Sequence, residues 1–102
     1  MMNVPKNVMD QFSLKGKTAI VTGGGQGLGK SMAIALAQAG ADVVLYARHI
    51  ETALETQKLI EEEGVKCTVI QGDIRVEEDV EALVKQVSDE YGRIDVLINN
   101  AG

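Results

Sequence analysis

The stretch Thr22-Gly23-Gly24-Gly25-Gln26-Gly27-Leu28-Gly29 follows a short apolar run, residues 18–22, and leads directly into a helix-forming segment. No other feature restricts the fold as strongly. A strand that turns through glycines into a helix presents backbone N–H groups at the positive end of the helix dipole, where phosphate binds. It also sets the local topology, because a strand followed at once by a helix opens a right-handed crossover to a parallel neighbour.

The remainder of the chain repeats that alternation. A helix is predicted over residues 27–39, with Leu28, Met32, Ala35, Leu36 and Ala39 on one face and Gly40 at its C-terminal end. Strands follow at 42–46 and 66–71, separated by a helix at 50–63 that ends at Gly64. A third helix carries Val76, Val80, Leu83, Val84, Val87 and Tyr91 at helical spacing, with Glu77, Glu78 and Asp79 in its first turn, where the dipole favours negative charge. Arg75 and Val76 are poor caps, so a loose start is expected there. Gly92 closes this helix and a fourth strand covers residues 94–98. The order βαβαβαβ implies an α/β fold with a parallel, Rossmann-type sheet of strand order 3-2-1-4, one half of a doubly wound fold. Residues 1–17 read as an N-terminal arm, pinned to the sheet edge by Phe12 and Leu14, and residues 18–102 as a partial nucleotide-binding domain.

Composition excludes several classes of partner. A net charge of −5 argues against nucleic acid and against an anionic membrane, and residues 1–17 hold no apolar leader segment. The single cysteine, Cys67, cannot form an internal disulfide. It sits in an apolar run without a neighbouring His or second Cys, so core packing is expected and a metal site is not. A reducing, cytoplasmic location follows from this reading. With aromatics at 3%, the core must be aliphatic, and in a chain this short it is thin, burying about 65% of the unfolded surface.

The glycine loop satisfies two nucleotide patterns. Gly24 to Ser31 matches G-x-x-x-x-G-K-[ST], the P-loop, in which Lys30 would meet phosphates and Ser31 would hold magnesium in a Mg-ATP-binding module. Thr22, Gly23, Gly27 and Gly29 instead fill T-G-x-x-x-G-x-G, with Gly23 making the turn, Gly27 admitting a dinucleotide pyrophosphate and Gly29 allowing the helix to pack on the sheet. The commoner G-x-G-x-x-G spacing is not present. Three features outside the loop favour the dinucleotide pattern. No apolar strand leads into an acidic magnesium partner, with Asp73 as the one loose candidate. Ala47-Arg48 falls at the tip of the second strand, where a dinucleotide's adenosine ribose lies. The fourth strand runs into Asn99-Asn100-Ala101-Gly102.

Taken in register, Thr22-Gly23-x-x-x-Gly27-Leu28-Gly29, Gly72-Asp73 and Ile98-Asn99-Asn100-Ala101-Gly102 resemble the short-chain dehydrogenase/reductase family, over residues 13–102. The resemblance implies hydride transfer between a nicotinamide cofactor and a carbonyl or alcohol. It further implies that Gly23, Gln26, Gly27, Leu28 and Gly29 contact the pyrophosphate and that Asp73 accepts a hydrogen bond from the adenine amino group. Asp73 also has a plain reading as a turn residue before a helix. Ile74 would line the same pocket wall, Asn100, Ala101 and Gly102 the adenosine ribose side, and Asn99 would help lock the sheet. NAD-preferring members place a carboxylate at the tip of strand two; here Arg48 stands there, so NADP(H) is favoured over NAD(H). Gln26 does not supply the second basic charge that many NADP-preferring members carry, and His49 is expected to be exposed and idle.

The family's tyrosine acid/base works with a lysine four residues later, which lowers its pKa. Tyr46 is followed at that spacing by Ile50 and Tyr91 by Asp95, so no catalytic residue is assigned in these 102 residues. The chain therefore reads as the front portion of such an enzyme, inactive alone, with its fourth strand an exposed edge through which it associates with a partner. A non-catalytic interaction fragment is the remaining alternative.

Overall fold

The computed structural model describes residues 13–100 of the chain. Its elements are β1 (Thr18–Thr22), α1 (Gly27–Gln38), β2 (Asp42–Ala47), α2 (Ile50–Glu61), β3 (Cys67–Gln71), α3 (Glu77–Tyr91) and β4 (Val96–Asn99). The four strands form one parallel sheet of order β3-β2-β1-β4, the Rossmann arrangement expected from the alternation of elements.

Strand alternation divides the core in two. Val21, Val43, Leu45 and Cys67 point to one face, where Ala33 and Ala37 of α1 and Ala53 and Ile60 of α2 cover them. Ile20, Val44 and Tyr46 point to the other, packed on Leu83 and Val87 of α3, with Ile70, Ile74 and Tyr91 at the margin. β1 and β2 lie at the centre and are buried on both faces, as their unbroken apolar runs require. Cys67 is part of this core, and burial pushes its thiol pKa up to about 12, with Glu61 adding to the shift. Tyr91 half-covers the far end, its hydroxyl 2.6 Å from that of Thr68.

Four local expectations need correction. The buried face of α1 is Gly29, Ala33 and Ala37 rather than the predicted line, and Leu28 stands 66% exposed. Small side chains at every fourth position let the helix axis approach the sheet, and the larger Ile34 and Leu36 pack at its flanks. α2 stops at Glu61, because Glu63 and Gly64 donate to Ile60 and Glu61 in tighter three-residue turns. β4 begins at Val96, not at residue 94. Just before it, Asp95 exchanges main-chain and carboxylate hydrogen bonds with Thr18 and holds Arg93 in a two-pronged ion pair. Leu14 ties to the C-terminal end of α1, donating its N–H to the Ala39 carbonyl, rather than to a sheet edge; Phe12 lies outside the described residues.

The start of α3 has the poor cap expected, yet its first turn is hydrogen-bonded, Asp79 and Val80 both donating to the Val76 carbonyl. Its N-cap, Val76, offers no side-chain acceptor, and Asp79 reaches back instead to the main-chain N–H of Asp73 at 2.9 Å. Among the described residues no helix is long and apolar enough to cross a membrane.

Candidate functional site

In open parallel sheets ligands bind beyond the carboxyl ends of the strands. Here those ends border a cleft of about 460 Å³, walled by the glycine loop, the tip of β2, the start of α2, the turn after β3 and Asn100.

The floor is built by β1 and β4. The Thr22 hydroxyl donates to Oδ1 of Asn99 and accepts the Asn100 N–H, both at 2.9 Å, which joins the two strand ends across 77 residues or more of sequence. The turn begins at Gly23, whose φ of 67° is left-handed and whose N–H donates to the Tyr46 carbonyl at 2.9 Å. Gly29 sits against the loop itself: a Cβ there would strike the Gly23 carbonyl and come within 2.8 Å of the Asn100 side-chain nitrogen. Gly25 is equally constrained, since a Cβ would meet Thr52 and approach the Ala53 nitrogen to 2.9 Å. The buried Thr56 hydroxyl lies 3.2 Å from the Thr52 carbonyl and 3.4 Å from that of Gly25, tying α2 to the loop. The loop is therefore held rigid from two sides.

The N-terminus of α1 opens from this loop. Its N-cap, Gln26, is extended and makes no side-chain cap, and its first turn holds no acidic residue. α2 carries Glu51 in its first turn and α3 carries three carboxylates. The positive end of α1 is thus uncompensated by its own side chains, the condition under which a helix terminus holds an external anion.

The opposite wall carries charge. Asp73 is gripped by Arg75, with Nε to Oδ1 at 3.0 Å, Nη2 to Oδ2 at 2.8 Å, and the Arg75 main-chain N–H to Oδ1 at 2.9 Å. Nη1 of Arg48 lies 3.9 Å from the same Oδ2. These hydrogen bonds and the two guanidinium charges hold the Asp73 carboxyl well below the usual carboxylate range and raise Arg75. Between the walls stands Tyr46, 2% exposed, its ring pressed on Gly72 so closely that a Cβ there would fall 2.6 Å from Cζ. Its hydroxyl is buried and has no hydrogen-bond partner among the described residues. Burial, with Asp79 and Asp73 nearby, raises its pKa, so it remains a neutral donor. A buried hydroxyl of this kind costs on the order of 1–3 kcal/mol unless a water or ligand completes it. A cleft with an uncapped helix end and glycine contacts too tight for any side chain fits a phosphorylated ligand.

Of the residues singled out in the sequence, Gly23, Gln26, Arg48, Asp73, Ile74 and Asn100 line this cleft, as does the exposed His49. Gly27 and Leu28 form the first turn of α1 beside it, and Gly29 supports the loop from behind. Ala101 and Gly102 lie outside the described residues. Sequence reasoning passed over Gly25, Tyr46, Thr52, Gly72 as a seat for the Tyr46 ring, and Arg75. Only Arg75 left a usable trace, a cation two residues beyond the candidate adenine contact. Ser31, the expected magnesium ligand of the P-loop reading, is exposed, and its hydroxyl lies 3.4 Å from the Gly27 carbonyl of its own helix.

A family model described as short chain dehydrogenase matches residues 17–102. Among curated relatives, the uncharacterized oxidoreductase YhdF of Bacillus subtilis is 48% identical over 89 residues, 86% of this chain and 31% of that protein. Among solved structures, hydroxysteroid dehydrogenase from Escherichia coli superposes with a TM-score of 0.86 at 38% identity, covering 91% of this chain and 40% of that one. NADPH-dependent 3-quinuclidinone reductase from Rhodotorula rubra gives 0.82 at 36%, covering 95% and 37%. Carveol dehydrogenase from Mycobacterium avium, in complex with NAD, gives 0.81 at 30%, covering 87% and 36%. The chain spans about a third of the length of the curated relatives it matches. None of these similarities supports the P-loop reading.

Proposed function

The chain belongs to the short chain dehydrogenase family, and on that premise we propose that its cleft takes the adenosine and pyrophosphate of a nicotinamide dinucleotide. The observation that carries the proposal is the uncapped, carboxylate-free N-terminus of α1, facing a wall that bears Arg48 and Asp73. The loop amides of residues 23–29 would hold the pyrophosphate, Asp73 and Ile74 would meet the adenine, and Asn100 with Ala101 and Gly102 would border the ribose. Arg48, with no carboxylate at the tip of β2, supports NADP(H) over NAD(H). When bound, the nicotinamide supplies hydride exchange with a carbonyl or alcohol. That oxidoreductase activity is proposed for the whole protein.

These 102 residues would bind and orient the adenosine half without driving the reaction, since neither Tyr46 nor Tyr91 stands four residues before a lysine. Calorimetric titration of the chain with NADPH, NADH and Mg-ATP tests the reading. NADPH should bind most tightly, and Lys30→Ala should leave that binding within about twofold, a shift of only some 0.4 kcal/mol. Tight Mg-ATP binding abolished by Lys30→Ala would overturn it in favour of a P-loop.

A second reading rests on β4, the outer strand of the described sheet, where Leu97 is 61% exposed. A bare strand edge of this kind recruits another strand, so we propose that the chain associates through it. Sedimentation velocity should detect species larger than the monomer, and a single monomeric boundary would contradict the proposal.

A further inference from the structure

A 2′-phosphate carries up to two negative charges, and the glycine loop, with Gln26 at its helix end, offers no cation to meet them. We infer that Arg75 is the second cation of the 2′-phosphate site, a specificity-determining residue that acts with Arg48; this rests on the dinucleotide reading above.

The geometry behind it is a convergence. Arg48 follows β2 and Arg75 follows β3, yet both guanidinium groups lie within 4 Å of a single atom, Oδ2 of Asp73, at 3.9 and 2.8 Å. Both side chains line the cleft and both are exposed, 55% and 71%, so a ligand reaches them without opening the fold. Two cations around one carboxylate leave the group of three with a net positive charge, attractive to a phosphomonoester and indifferent to a ribose hydroxyl. The fork of Arg75 onto Asp73 uses Nε and Nη2. Among the described residues Nη1 has no partner, so it can bond an incoming oxygen while Asp73 keeps the guanidinium plane fixed. Exposed ion pairs contribute little to stability, so exchanging part of this pairing for phosphate meets small resistance. Charge-assisted, forked bonds to phosphate are the stronger kind.

Two small probes isolate the effect: adenosine 5′-monophosphate, and adenosine 2′,5′-bisphosphate, which adds only the 2′-phosphate. The unsubstituted chain should bind the bisphosphate more tightly. Arg75→Gln should weaken the bisphosphate about tenfold, the loss expected for one bond to a charged group, and leave the monophosphate within twofold. Arg75→Lys should keep part of the preference. If Arg75→Gln weakens both probes equally, or neither, Arg75 serves only to position Asp73 and the inference falls. Equal binding of both probes by the unsubstituted chain would overturn the inference while leaving the nucleotide cleft intact. Binding of neither would remove the dinucleotide reading as well. Circular dichroism of each variant confirms that the comparison is made on folded chains.

Discussion

Helices α1 and α3 follow strands of the same sheet, and their third residues answer the same physical problem in opposite ways. At that position α3 carries Asp79, which turns back to cap the Asp73 N–H, after Glu77 and Glu78. α3 neutralises its own dipole and closes the turn after β3. At the corresponding position α1 carries Gly29, pressed against the Gly23 carbonyl, behind a first turn without any carboxylate. One helix sets its own carboxylates against its dipole. The other keeps its positive end available, and its glycine brings that end onto the loop. A helix terminus becomes a binding site through what the sequence withholds from it, provided the packing is tight enough to fix the amides in place.

The largest effect should come from the packing. Gly29→Val would drive its side chain into main-chain atoms that have nowhere to move, lowering stability by about 1–3 kcal/mol, as overpacking typically does. Urea unfolding measures it, and a neutral result would mean that the α1–loop contact is not tight. Next in size is a change that makes α1 resemble α3. Leu28 is exposed in the first turn, so Leu28→Glu should raise stability by about 0.3–1 kcal/mol through the dipole. The same variant should weaken NADPH about tenfold, because the new carboxylate competes for the anion site. Stability and affinity moving in the same direction would contradict the contrast between the helices.

The converse change makes α3 resemble α1. Asp79→Ala removes the cap from Asp73 and should cost about 1 kcal/mol in thermal or urea unfolding, with a smaller loss of affinity through the displaced turn. The smallest effect is the pH response of Asp73. Its carboxyl is held down first by the Arg75 hydrogen bonds. A depressed carboxylate stabilises the fold fully above its unfolded pKa of about 3.9 and loses that contribution only as pH falls through the lower folded value. Carboxyl NMR should find Asp73 still ionised at pH 3, and an ordinary midpoint near 4 would show the clamp to be loose.

Much of this was legible in the chain. β1 and α1 were readable from an apolar run broken by glycines and followed by a helix-forming segment, and Gly23, Gln26, Arg48 and Asp73 do meet in one cleft. The face of α1 was misread because large apolar residues were assumed to lie inward, whereas Ala33 and Ala37 are buried through the close approach of helix to sheet. In sequence Tyr46 stands out only for lacking a lysine four residues on. Its relation to Gly72 comes from β2 and β3 running side by side, with Ala47 opposite Gln71, which a linear pattern does not reveal. Arg75 was read as a poor cap, and its pairing with Asp73 was hidden because side-chain direction decides it.

The sequence alone determined the class of fold, the order of elements and the glycine-rich turn from strand to helix at residues 23–29, because each depends on patterns within a few residues. Tertiary structure decided which distant groups share a wall: Thr22 with Asn100, Gly25 with Thr52, and Arg48 with Asp73 and Arg75. Strand register governs those meetings. Side chains alternate along a strand, and a slip of one residue would turn every one of them to the other face.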